Sequence, residues 1–252
     1  MKRKNIITVT IVILLTVAFI SVTIYSVSQF QGLQAREARL VLLKEGLMKA
    51  DSMEDDTSAV AAYKRLTPSS AEIQLRILQR QWRIAMDLMH YLQRAQSSPA
   101  LQSETGTYLR QLKAHFDGMI DLTSGTLADA AKISPEIAWQ LYNVAGSARA
   151  MNALVMLEGG ESVDKVQGVM RDALTDFKAA IDAVDKGDVP PQQRNIPRWN
   201  FELLNGEEYV QKFDVALTDA EKNQVLKDNL ETLIPELGGY APGEPIETII
   251  KK

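Results

Sequence analysis

Hydrophobic positions follow two regimes along this chain. From Ile6 to Val27 they run together as IITVTIVILLTVAFISVTIYSV, with no charge, proline or glycine. From Gln31 onward they recur every three or four residues, which places them on one face of a helix. The first regime predicts a helix rising roughly 33 Å, enough to cross the ~30 Å hydrocarbon core of a bilayer. Its lipid-facing candidates are Ile6, Ile13, Leu14, Leu15, Phe19, Ile20 and Tyr25.

The second regime predicts a succession of amphipathic helices. Gln31 to Ala50 carries Leu33, Leu40, Leu43 and Leu47 and reads as a stalk, broken by the acidic stretch Asp51 to Thr57. A short helix, Ser58 to Leu66, ends at Pro68. Ser69 and Glu72 form a capping box, serine accepting a free amide and glutamate reaching back. The helix behind it runs to about Gln96 with Ile73, Leu78, Trp82, Ala85, Met86, Met89 and Leu92 on one face. Another, from about Leu101 or Gly106, holds Leu109, Leu112, Phe116, Met119 and Ile120. Leu122 to Ile133 is small and polar and predicts a bend with a short turn. Ser134-Pro135-Glu136 then starts a helix well, with a cap, a first-turn proline and an acid at the positive end. Gly159-Gly160 stops it. The next helix spans Val163 to Lys186, with Gly187 as a left-handed cap. After Pro190-Pro191, a helix from Pro197 holds Trp199, Phe201, Leu203, Leu204 and Val210. Thr218 and Glu221 form a second capping box, before Val225, Leu226, Leu230 and Leu233 and a stop at Pro235. The Gly- and Pro-rich tail from Gly238 cannot be helical.

Charge gives the opening segment a direction. Lys2, Arg3 and Lys4 precede it, and the next charge is Arg36. Positive flanks stay cytoplasmic, so the amino terminus is expected inside and the rest of the chain outside. A cleaved secretory signal is the alternative. Its apolar core spans about 7–15 residues and ends at a small-x-small site; this run is longer, and Ser26-Val27-Ser28 is a poor site. A buried core helix is a third reading, which the length and purity of the run disfavour. Of 28 basic residues, 25 remain in the body against 32 acidic ones, a net charge of −7. That balance argues against nucleic acid and against a body lying on anionic lipid. There are no cysteines, which excludes a disulfide framework and lipoprotein processing.

Catalytic and metal chemistry find no recognisable constellation. No cysteine, Gly-x-Ser-x-Gly or paired serine and histidine offers an activated nucleophile. Gly159-Gly160 lacks the Lys-Ser/Thr of a phosphate loop, and the acidic stretch lacks the oxygen alternation, glycine and final glutamate of an EF-hand. His90 and His115 lack the local spacing of a zinc pair, although antiparallel helices could bring them together. Glu207 and Glu208 are adjacent and point apart. The expectation is no enzyme, no cofactor and no metal. Gln74, Arg76, Gln79, Arg80, Gln81 and Arg83 make a basic-leaning stretch, read as the wet face of the long helix with an acidic-partner surface as the alternative.

One stretch resembles a known family. Ala173, Phe177 and Ala180 have the Ala-x3-Phe-x2-Ala spacing of a tetratricopeptide (TPR) second helix, and Asp185 to Asp188 sits where such repeats turn. Tyr142-Asn143-Val144 and Trp199-Asn200-Phe201 align as first helices, 57 residues apart. The usual period is ~34, so inserted loops around 158–168 and 187–197 are expected to absorb the excess. Together with the membrane helix and the Trp199–Leu204 segment, this is similar to the membrane-anchored TPR-like proteins found beside von Willebrand factor A proteins and MoxR-type ATPases in bacteria. That resemblance implies an accessory role in assembling an exported complex, and no catalytic residues.

The expected architecture is all-α: an N-terminal single transmembrane helix followed by an extracytoplasmic TPR-like helical-hairpin array or a plain helical bundle. Its parts are a basic tip (1–5), an anchor (6–27), a stalk and acidic turn (28–56), a first helical region (57–132), a TPR-like region (133–235) and an extended tail (236–252). The expected setting is the bacterial inner membrane, with the body periplasmic and lipid met only through the anchor. The expected function is a non-enzymatic scaffold for a protein partner of the envelope. Its candidate contacts are Trp139, Tyr142, Asn143, Trp199 and Asn200, since an amide both donates and accepts and can clamp a peptide backbone; packing between helices is the alternative for all five and the favoured reading for Trp139 and Trp199. A structural subunit of a large membrane complex and a ligand-sensing bundle acting through a partner are the alternatives.

Overall fold

The computed structural model describes residue 34, residues 36–66 and residues 70–205. The expected anchor, the helix after Thr218, the tail, Val210, Pro68 and Ser69 lie outside the described residues. The chain divides into two units, Met1–Ser52 and Met53–Lys252. In the first, residues 36–51 form helix α1, which exposes Leu40, Val41, Leu42 and Met48. No described helix is long and apolar enough to cross a membrane.

The second unit is all-α. Its helices are α2 (Asp56–Lys64), α3 (Ala71–Ser97), α4 (Thr105–Leu127), α5 (Pro135–Glu158), α6 (Val163–Lys186), α7 (Pro191–Arg194) and α8 (Ile196–Asn205). The acidic stretch is a helix start: the Asp55 carboxylate accepts from Ser58 N–H at 2.7 Å. Helix α3 begins one residue later than the capping box places it. Its cap is Ser70, which accepts from Ile73 N–H, and Glu72 pairs with Arg76 within the helix. The predicted bend after Leu122 is also displaced. Helix α4 continues to Leu127, and Thr123 and Thr126 satisfy their hydroxyls on its own carbonyls, Thr123 on Met119 and Ile120 and Thr126 on Leu122. A short 3-10 turn, Ala130–Lys132, follows.

Successive helices pack as antiparallel neighbours, α3 with α4, α4 with α5, α5 with α6, and α8 on α6. Alternate helices also meet: α3 touches α5, and α5 touches α8. Trp82, Phe116, Leu141, Met151, Phe177 and Leu204 join one apolar core that runs through α3, α4, α5, α6 and α8. Trp82 and Phe116 meet edge to face at 6.3 Å, the arrangement ring quadrupoles favour.

Helix α5 is buried over most of its circumference, at sixteen of its 24 residues. Its sequence explains this: Ala145, Gly146, Ser147, Ala148, Ala150 and Ala153 leave room for neighbours on several sides. The tightest approach is at Gly146, where a Cβ would lie 2.8–2.9 Å from the Phe177 ring. Ala173, Phe177 and Ala180 are all fully buried on the facing side of α6. The link between α5 and α6 is short, residues 159–162, with Gly160 at φ +80°. The excess over a 34-residue period therefore lies in helix length and in the connection 187–195, not in an inserted loop at 158–168. Gly187 also departs from expectation. Its φ of −100° is open to any residue, and what restricts it is space, since a Cβ there would lie 2.8 Å from Pro135 Cβ.

Candidate interaction surface

The junction of α5, α6 and α8 holds most of the residues singled out from sequence. Helix α8 turns Ile196, Asn200 and Leu204 inward at i, i+4, i+8 spacing, and all three are buried. Asn200 then faces Asn143 on α5 and donates from Nδ2 to Asn143 Oδ1 at 2.9 Å. The two residues are 0% and 1% exposed, so their amides tie helices together within the fold. Asn200 Oδ1 and Ser147 Oγ, one turn beyond Asn143, are buried without a hydrogen-bond partner among the described residues. Trp139 is also interior, packed with Val184, Val189 and Ile196 in a small second cluster. Tyr142 is half-buried, and Trp199 stands on the outside of α8, 42% exposed. The five candidates thus share a neighbourhood, but only Trp199 and part of Tyr142 face outward.

The loop after α6 is stitched to the start of α5. Glu136 Oε1 accepts from Asp188 N–H at 3.2 Å. Its own backbone amide, the Ser134 hydroxyl and that Asp188 contact together hold its carboxyl below the ordinary carboxylate range. Between α5 and α6, Arg149 Nε meets Asp176 Oδ2 at 2.7 Å with both side chains largely shielded. Burial pushes the Asp176 carboxyl up, and Arg149 offsets this only in part, with Asp172 adding a like charge. On the α4 side, Asn152 Nδ2 donates to Asp117 Oδ1 at 2.8 Å.

An open groove of about 760 Å³ lies among the start of α3, the end of α4 and the start of α5. Gln74, Leu122, Gly125, Thr126, Lys132 and Ile137 contribute to its walls. A Cβ built on Gly125 would meet nothing within 4 Å, so an alanine fits there without disturbing the packing. Sequence patterning misses this groove, because the start of α3 meets the turn from α4 into α5 across about fifty residues of chain. A second exposed feature is the stack of Tyr91 on Tyr108 at 6.1 Å, with the Tyr108 hydroxyl donating to Glu104.

The basic-leaning stretch of α3 is partly spent inside the fold. Asp56 of α2 receives Arg80 at 2.6 Å and Arg83 at 3.0 Å. Burial pushes the Arg80 guanidinium down, while Asp56 and Tyr63 outweigh that and keep it above its ordinary value. His90 is exposed and His115 half-buried, its imidazole pushed down by burial. No group of three or more metal-ligating side chains occurs among the described residues. No protein-family model, no curated protein and no solved structure matches this chain.

Proposed function

We propose that this chain is a membrane-anchored, non-enzymatic scaffold of the bacterial envelope, holding a helical-hairpin body outside the inner membrane for a protein partner, as an accessory to assembly of a complex. The observation that carries the reading is the packing order of the body: α3 reaches α5 and α5 reaches α8 past the intervening helices. Stacking of this kind is how helical-repeat proteins build extended binding surfaces. The groove at the ends of α3, α4 and α5 is the surface assigned to the partner, which enters with an extended segment. Two further features support the placement. The Ile6–Val27 run follows three basic residues, and tethering raises the effective concentration of the body near other anchored proteins. The TPR-like proteins found beside von Willebrand factor A proteins and MoxR-type ATPases are the group this role fits.

The test is affinity purification of the intact protein from detergent with mass spectrometry, beside the Gly125→Trp variant. The expected result is a stoichiometric envelope protein that the variant loses while its melting temperature stays within a few degrees of the parent. Recovery of no stoichiometric protein, or equal recovery by both forms, overturns the reading.

A further inference from the structure

We propose that the groove at the ends of α3, α4 and α5 takes an extended segment bearing a lysine or arginine beside an apolar residue. The cation lies at Asp121 and the apolar side chain on Leu122, Ile133 and Ile137. This rests on the assignment of the groove to a protein partner and adds the chemistry of the segment that fills it.

The apolar part of the groove comes with the fold. Leu122, Ile133 and Ile137 are half-buried; they pack on the main core and also border the groove. Asp121 and Gly125 border it too. They stand four residues apart and so share one face of α4. Gly125 has no side chain and open space around it, which lets a backbone lie against the helix there. A segment in that position passes beside Asp121.

The charge left open in the groove is negative. Four charged side chains border it: Glu72, Asp121, Asp129 and Lys132. Lys132 holds Asp129 at 2.9 Å, and Arg76 holds Glu72 at 3.4 Å. Asp121 is exposed and has no ion pair among the described residues. The helix ends agree with this sign. Helices α3 and α5 bring their positive ends, which by themselves favour an anion. Groups of the chain already occupy those ends: Ser70 accepts from Ile73 N–H, and the Glu136 carboxylate is held by its own backbone amide, Ser134 and Asp188. Helix α4 brings its negative end, and its last turn carries no basic residue. An acidic segment would meet like charge at Asp121, and a wholly apolar one would leave that carboxylate without a counter-charge.

The test is selection from a displayed library of random heptapeptides on the full-length protein in detergent, followed by fluorescence anisotropy of the enriched peptides with variants. The enriched peptides are expected to carry a lysine or arginine beside an apolar residue and to lose binding to Gly125→Trp. Asp121→Asn is expected to weaken them about two- to fivefold, the loss of one exposed ion pair. Asp121→Lys adds repulsion and is expected to cost about tenfold or more, and binding to the parent should weaken as salt rises. Asp121 is exposed, so both variants are expected to keep the parent's melting temperature. Peptides that Gly125→Trp loses but that show no excess of basic residues, or that Asp121→Lys binds as well as the parent, overturn this inference and leave the assignment of the groove standing. Selection of no peptide, or only of peptides that Gly125→Trp still binds, overturns both.

Discussion

Asn200 donates its side-chain amide to Asn143 Oδ1 at 2.9 Å, joining α8 to α5 across 57 positions of sequence. Both groups are out of water. Losing one member leaves the other buried without its partner, which costs about 1–3 kcal/mol, whereas replacing both with apolar groups of similar shape can be close to neutral. Asn143→Leu and Asn200→Leu alone should each lower stability in urea unfolding by about that much. The double variant should recover most of the loss, and strictly additive losses would show that the two amides do not act as a unit.

Gly146 and Phe177 set the spacing of α5 and α6. Alanine at position 146 gains up to ~1 kcal/mol of helix propensity. Its Cβ, however, would sit 2.8–2.9 Å from the ring, and overpacking of this kind costs about 1–3 kcal/mol. Gly146→Ala should therefore be net destabilising, and Phe177→Leu in the same chain should lessen the penalty. Gly125→Ala, with open space around its Cβ, should stabilise by roughly 0.5–1 kcal/mol. Thermal melts of the three variants distinguish crowding from propensity.

At Gly187 the constraint is a neighbour and not a backbone angle. Gly187→Ala is expected to destabilise by about 1 kcal/mol or more through contact with Pro135 Cβ, 2.8 Å away. Pro135→Ala keeps that Cβ and should give no relief. Pro135→Gly removes it, and in a double-variant cycle should remove most of the Gly187→Ala penalty. A penalty of equal size in both backgrounds would assign it to something other than this contact.

Two carboxylates should give opposite pH dependences. Asp176 is pushed above its ordinary value of 3.8, chiefly by burial and against the pull of Arg149. The folded state then binds a proton more readily than the unfolded state, so stability rises as pH falls through the folded value toward 3.8. Glu136 is held below its ordinary 4.5, first by its own backbone amide and then by Ser134 and Asp188. Its contribution is present above 4.5 and is lost as pH falls through the lower folded value. Measured from pH 7 downward, the parent should gain on Asp176→Asn and lose its advantage over Glu136→Gln. The same sign of slope for both differences would contradict the assignment.

The helical pattern is legible in the sequence wherever apolar spacing and end signals agree. Val163 to Lys186 is found with its predicted bounds because Gly159-Gly160 and Gly187 bracket a clean amphipathic run, even though Gly187 ends it without a left-handed turn. Leu122 to Leu127 misleads because threonine and glycine are weak helix formers, whereas here the threonine hydroxyls bond back to α4's own carbonyls and the helix runs on. Asn143 and Asn200 are legible as equivalent positions on two helices. Their burial is not, because amide side chains suit a peptide-binding surface and a satisfied interior pair equally well. Trp139 reads from sequence as packing between helices, and the meeting of Val184, Val189 and Ile196 places it inside. The groove has no sequence signature, since the turn from α4 into α5 sets its width. The anchor residues Ile6 to Tyr25 lie outside the described residues, and their placement is part of the proposed function.

Helix α5 has α3, α4, α6 and α8 around it. Linear repeat arrays hold each unit mainly through its two neighbours, and so can melt from an end. Here one helix, lined with alanine, glycine and serine, is shared by α3, α4, α6 and α8, while α2 packs on α3. Removing α3, α4, α6 or α8 strips cover from that common element, so local opening at one of them weakens the others. The α5 amides are therefore expected to be the slowest of the body to exchange with solvent, a pattern that hydrogen exchange would show directly.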